Sequence, residues 1–223
     1  YKTELNIVGD CGEFLKYMRQ QTENAGAFIA TKGLRTAWLE KIRGRGARLY
    51  DAENCASDAV PVHPARVVCD LRRAMPRETV LLVDSGAHRA FAGHYWETYG
   101  PLRYLSATNL GPMGWAIPAA IGAKLARPAL PCAVITGDGC MLMHGVEVQT
   151  AARYGVQVIY VVVNNSSFGN VYLRAKKMGA GPAKLTELPT HDWAGFARSL
   201  GAAGITVRKP GELIPAYEKA LAT

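Results

Sequence analysis

The sequence predicts an α/β fold, a doubly wound parallel sheet with helices on both faces. Three observations lead there. From Pro64 onward, apolar segments of strand length alternate with segments of helical period. Runs such as Val158-Ile-Tyr-Val-Val-Val163 are apolar at every position, as in strands covered on both sides, whereas a strand with one wet face would alternate. Residues suited to chemistry also gather where the strands end, the edge at which such sheets bind ligands.

Residues 4–8 read as a short strand leaving at Gly9-Asp10, and residues 12–20 carry Phe14, Leu15 and Met18 at helical spacing. Residues 34–43 read as a second short helix. This opening has too little apolar material for a core of its own. Residues 1–52 are therefore expected to be the end of another domain with its connecting helix, and residues 53–223 the sheet domain. The polar, proline-punctuated stretch Asp51 to Pro64 reads as the linker. A helix then opens with proline in its first turn and presents Val67, Val68, Leu71 and Met75 on one face. Strands are expected at Thr79–Asp84, Cys132–Thr136, Val156–Val163 and Ile205–Val207, and helices at about 116–126, 143–154, 190–200 and 211–221.

Composition narrows the function. With 223 residues, 49% of them hydrophobic, the chain can bury one full core. The net charge of +8 comes from 26 scattered Lys and Arg residues with only short clusters, such as Arg72-Arg73. Without a continuous basic stripe or interleaved aromatics, nucleic acid is not an expected partner. No run of 18 apolar residues exists and Tyr1 to Leu5 lack the order of a signal peptide, so no membrane association is expected and the cytoplasm is the expected compartment. Cys11, Cys55, Cys69, Cys132 and Cys140 form no CxxC pair; reduced thiols are expected, with neither zinc site nor disulfide.

Three strand ends are chemically loaded: Asp84-Ser-Gly-Ala-His88, Gly137-Asp138-Gly139-Cys140, and Asn164-Asn165-Ser-Ser-Phe-Gly169. A helix beginning near Cys140 would turn its free amides toward whatever Asp138 faces, which favours an anion. A carboxylate and an amide oxygen beside an anion site suit magnesium bridging to phosphate oxygens. A lone GDG is more often a turn, and an Asn-Asn pair more often a loop. Together they say more, because the 27 positions from Asp138 to Asn165 accommodate one helix and one returning strand. Both then land on the same sheet edge.

This pattern, GDG followed by a helix, a strand and NN, resembles the thiamine-diphosphate enzymes, in particular the acetolactate synthase, pyruvate oxidase and 2-keto-acid decarboxylase group. Residues 107–127 (ATNLGPMGWAIPAAIGAKLAR) look like the family's loop and following helix, and residues 1–52 like the end of its central domain. The resemblance implies that Asp138, Asn165 and the carbonyl of Ser167 hold Mg2+. It also implies that Ala87, His88, Gly137, Gly139, Cys140, Asn165, Phe168 and Gly169 surround the cofactor diphosphate. Met113 would prop the cofactor in its bent form and the Gly111 carbonyl would accept from the aminopyrimidine; with His88, which can touch cofactor or substrate, these are the candidate catalytic residues. The bend brings the amino nitrogen beside C2, so that a proton can leave and the carbon can attack a 2-keto acid.

The family's glutamate on the far side of the pyrimidine belongs to another domain, and no residue here matches it; Glu147 reads as a helix-face carboxylate. The implied partners are that pyrimidine-binding domain, upstream in the same chain or on another subunit, and further copies in a homodimer or homotetramer. Pyruvate-type decarboxylases carry a glutamate where this sequence has Val171, which favours an acetolactate-synthase-like carboligase. Arg174 replaces a tryptophan of the biosynthetic enzymes and argues against a branched-chain biosynthetic role. The alternatives are a 2-keto-acid decarboxylase, an FAD-dependent pyruvate oxidase-like enzyme and a non-catalytic cofactor-binding subunit.

Overall fold

The computed structural model describes residues 2–23, 31–44, 51–179 and 184–223. The chain divides into two compact units, residues 1–50 and 51–223. In the first, α1 (Cys11–Glu23) and α2 (Lys32–Arg43) are amphipathic, yet neither buries a residue. The strand expected at residues 4–8 is absent. Ile7 and Val8 are exposed, and no described segment pairs with them.

The second unit is built on a four-stranded, wholly parallel sheet of order β2-β1-β3-β4. Strand β1 is Val80–Val83, β2 Tyr104–Leu105, β3 Cys132–Gly137 and β4 Ile159–Val163. Every residue of β1 and β3 is buried, so both faces are covered, as the continuous apolar runs demand. Successive side chains alternate between faces. Val80, Leu82, Cys132 and Val134 pack on Ala116 and Ala120 of α5 (Ala116–Ala126), a helix with Pro118 in its first turn where no amide partner is lost. On the amino side of β1 lies α3 (Pro64–Ala74), capped by His63 Nδ1 accepting from the Ala65 amide at 3.2 Å. The α3 stripe Val67, Val68, Leu71 and Met75 is buried, as its spacing requires. Asp70, also buried, is held between Arg66 at 2.5 Å and Arg73 at 2.8 Å.

The remaining helices are α4 (Ala87–Tyr95), α6 (Asp138–His144), α7 (Val148–Arg153), α8 (Gly169–Lys177), α9 (Trp193–Ser199) and α10 (Leu213–Ala222). Several expectations are corrected. The helix placed at 143–154 is two helices joined by a 3-10 turn at Gly145–Glu147, and the strand placed at 156–163 begins only at Ile159. Ile205–Val207 pairs with nothing: flanked by Gly204 and Pro210, it leaves Ile205 exposed and β4 at the sheet edge. Met141 packs in the core, whereas Met143 is exposed because α6 turns that face to solvent.

The stretch expected to be a linker is itself packed. Its 3-10 turn Ala52–Ala56 buries Cys55, and the Tyr95 hydroxyl reaches the Asp51 carbonyl at 3.3 Å. Cys55 and Cys69 are joined by a disulfide, with Cα atoms 5.5 Å apart, contrary to the expectation of reduced thiols. A separation of 14 residues carries no local signal; docking of the turn on α3 makes the pair. Among the described residues no helix is long and apolar enough to cross a membrane.

Candidate functional site

Strands β1, β3 and β4 all point their carboxyl ends to one edge, where each turns directly into a helix: β1 into α4 at Ala87, β3 into α6 at Asp138, β4 through residues 164–168 into α8 at Gly169. Three helix starts, with the positive ends of their dipoles, therefore converge on one place. A cavity of about 120 Å³ lies there. Ala87, His88, Met113, Gly137, Asp138, Gly139, Cys140, Asn165, Ser167, Phe168 and Gly169 all line it. Gly111 does not; its left-handed φ of +65° turns the 106–115 loop beside Ser85 Oγ.

Asp138 is buried and joins two of the three loops. Its Oδ1 accepts from the Gly139 amide at 2.8 Å and its Oδ2 from the Ser167 amide at 3.2 Å. The same Ser167 N–H lies 3.3 Å from Asn165 Oδ1, so carboxylate and amide oxygens face one point. The Ser167 carbonyl accepts from Gly169 at 2.9 Å. Further hydrogen bonds, from Phe168 to the Thr186 carbonyl and from Leu188 to the Ser166 carbonyl, hold this loop against a later segment.

The glycines here are close approaches. A Cβ on Gly139 would stand 2.8 Å from the Phe168 ring and 2.9 Å from Met113 Cε, and one on Gly169 would stand 2.8 Å from Asn165 Nδ2. One on Gly137 would lie 3.1 Å from the His88 ring. The three positions keep the cavity floor open and let the Met113 side chain lie over it.

His88 is buried, with one ring nitrogen bonded to the Asp84 backbone and Nε2 unpartnered at the cavity. Burial pushes its pKa down to about 4, so the imidazole is neutral near pH 7. Asp84 is a post rather than a lining residue. Thr136 Oγ1 donates to its Oδ2 at 2.9 Å and the Ala116 amide to its Oδ1 at 3.3 Å, tying β1, β3 and α5. Burial raises its pKa, and those hydrogen bonds oppose the rise. Cys140 Sγ donates to the Ser85 carbonyl at 3.2 Å, and burial lifts the thiol to about 11. Glu147 is outside the cavity and accepts from Thr150 Oγ1 at 2.8 Å, as a helix-face carboxylate should.

Sequence reading passed over Phe91, Pro64 and Asn170, which also line the cavity. Phe91 follows His88 by one helical turn and meets His63 edge to face at 5.9 Å, but α4 itself was not expected. Pro64 arrives from α3 by tertiary packing alone. Asn170 adjoins the Phe168-Gly169 motif and was within reach of it.

The donor set is one carboxylate, one amide and one backbone carbonyl, a hard-oxygen set of the kind magnesium takes when phosphate and water complete its shell. Among the described residues no three His, Cys, Asp or Glu side chains cluster as a softer metal would need. Anion-seeking amides beside hard oxygens thus define a diphosphate-type site.

Residues 84–223 match the family model for the thiamine pyrophosphate enzyme C-terminal TPP binding domain, and the chain belongs to that family. A probable acetolactate synthase of Mycobacterium bovis is 32% identical over 191 residues, 83% of this chain and 34% of its own length. The large subunit of Escherichia coli acetolactate synthase isozyme 3 is 29% identical over 223 residues, 98% of this chain and 38% of its own. The Rhodococcus jostii thiamine diphosphate-dependent 4-hydroxybenzoylformate decarboxylase superposes with a TM-score of 0.72 at 23% identity, covering 80% of this chain and 33% of that one, and shows the same fold. The chain thus spans a little over a third of these curated relatives.

Proposed function

We propose that this chain supplies the magnesium-diphosphate half of a thiamine-diphosphate enzyme that cleaves a 2-keto acid and transfers the acyl unit to a second carbonyl, as an acetolactate-synthase-like carboligase does. The observation that carries the reading is the joining of the GDG turn to the NN loop through Asp138, at the edge where three helix starts converge. Asp138, Asn165 and the Ser167 carbonyl would hold the cation. The Cys140 amide, at the start of α6, would receive the diphosphate, with His88 and Gly139 beside it. When bound, the cofactor supplies a nucleophilic carbon that accepts the carboxyl-bearing carbon of the substrate.

The chain's own residues do the positioning. Met113, whose Cε lies against Gly139, would press on the bound cofactor and fix its bend before reaction. Neutral His88 spends its one N–H on the Asp84 backbone and presents Nε2 to the cavity as an acceptor. Among the described residues Asp138 is the only carboxylate lining the cavity, and it would face the cation. The acid needed at the pyrimidine would come from another domain, and such a chain would act in a larger assembly with a second copy or partner.

Val171 lines the same cavity and is apolar, which favours carbon acceptance over protonation by an acid at that position. The test is calorimetric titration of thiamine diphosphate into the complete protein with magnesium, then with a chelator. Magnesium-dependent saturation supports the proposal; no binding in either condition overturns it.

A further inference from the structure

At the opposite, amino-terminal edge of the sheet lies a second and larger cavity, of about 380 Å³. The lead-in to β1 contributes Arg77 and Glu78, the lead-in to β2 contributes Tyr99 and Arg103, and the end of α5 contributes Arg127. Three guanidinium groups thus converge on one concavity with a single lining carboxylate. Among the described residues none of the three arginines forms an ion pair.

Their placement is constrained by the fold. Arg77 stacks on the Tyr99 ring at 3.6 Å, and Arg72 lies over Trp96 at 4.3 Å while donating to the Met75 carbonyl at 2.6 Å. Arg103 lies along Gly100, where an added Cβ would be in ordinary contact at 3.6 Å from Arg103 Cγ. Its backbone carbonyl is committed to the sheet, accepting from Leu81 at 2.9 Å. Its Nη1 is buried and has no hydrogen-bond partner. A buried cationic donor left unmatched is costly, and turning the guanidinium into the cavity to meet a ligand's acceptor would remove that cost. Burial lowers the pKa of Arg72; Arg77 adds to this, while Tyr99, Glu97 and Glu78 oppose it.

We propose that this cavity binds a small phosphate-bearing molecule, with Arg103, Arg77 and Arg127 receiving the phosphoryl oxygens. Phosphate fits better than a single carboxylate because three forked donors outnumber the oxygens one carboxylate offers. The concavity is half open and of small-molecule size, and Pro101 and Leu102 give the organic part an apolar wall. The site is separate from the cofactor cavity and its occupancy does not depend on the proposed reaction.

The test uses the complete protein saturated with thiamine diphosphate and magnesium, so that the cofactor site does not compete. Inorganic phosphate is titrated at constant ionic strength, with chloride as the replacing salt, and binding is read by phosphorus NMR line width or calorimetry. Saturable binding is expected, weakened at least tenfold by Arg103→Met and several-fold by Arg127→Ala, with cofactor affinity unchanged. Arg127 is exposed, so its variant reports even where Arg103→Met does not fold. Phosphate binding indistinguishable from chloride, or unchanged in Arg127→Ala and in any folded Arg103→Met, overturns the proposal.

Discussion

Burial keeps the His88 imidazole neutral, and this has a measurable consequence in the cofactor-free protein. The folded pKa of about 4 lies below the ordinary 6.5, so the unfolded chain binds more protons between those values. Stability from neutral His88 is therefore complete above pH 6.5 and lost as pH falls toward 4, a change of about 3 kcal/mol at most. Denaturant midpoints across that range should fall in the wild type and flatten in His88→Gln; parallel profiles would contradict the assignment. Met113→Ala should leave cofactor binding nearly intact while slowing proton loss from C2 of the bound cofactor, read by deuterium exchange. Wild-type exchange would remove Met113 from its role. At this scale the sequence was informative: the strand-end residues lie together except Gly111. The role of Asp84 was not legible, because its partners Thr136 and Ala116 lie 52 and 32 positions away and meet it only through packing.

The three strand-to-helix turns act as units whose glycines exclude side chains. Gly139→Ala would put a methyl between Phe168 and Met113, closing the floor over which the diphosphate is proposed to lie. Overpacking of about 1–3 kcal/mol corresponds to a loss of cofactor affinity of roughly tenfold or more. An unchanged dissociation constant would show that the cofactor does not approach this turn. Long, strongly patterned elements such as α3 and α5 were readable, as were β1 and β3. The two-residue β2 was not, because Tyr104-Leu105 is too short for a period and exists by pairing with Leu81 and Leu82. Helix α4 was hidden by its composition: Ala87-His-Arg-Ala-Phe-Ala-Gly-His-Tyr95 has a weak apolar stripe, and its first residues were read as a loop motif. Ile205-Thr-Val207 misled in the other direction, since β-branched residues favour a strand, yet among the described residues the segment pairs with neither edge of the sheet.

For the whole molecule the proposal implies incomplete chemistry in residues 1–223 alone. Among the described residues Asp138 is the only carboxylate lining the cavity, and general acid-base assistance is typically worth about 10² to 10⁴ in rate. The isolated segment, given pyruvate, thiamine diphosphate and magnesium, is expected to release no measurable carbon dioxide; robust release would show the site to be self-contained. The central claim, that Asp138 and Asn165 hold a cation bridging to the diphosphate, is tested most directly by titrating thiamine diphosphate into the complete protein and its Asp138→Ala and Asn165→Ala variants, with magnesium and with chelator. Asp138→Ala is predicted to abolish magnesium-dependent binding, because the cation loses its one charged ligand, and Asn165→Ala to weaken it less. A folded Asp138→Ala protein that binds the cofactor with wild-type, magnesium-dependent affinity would contradict the account.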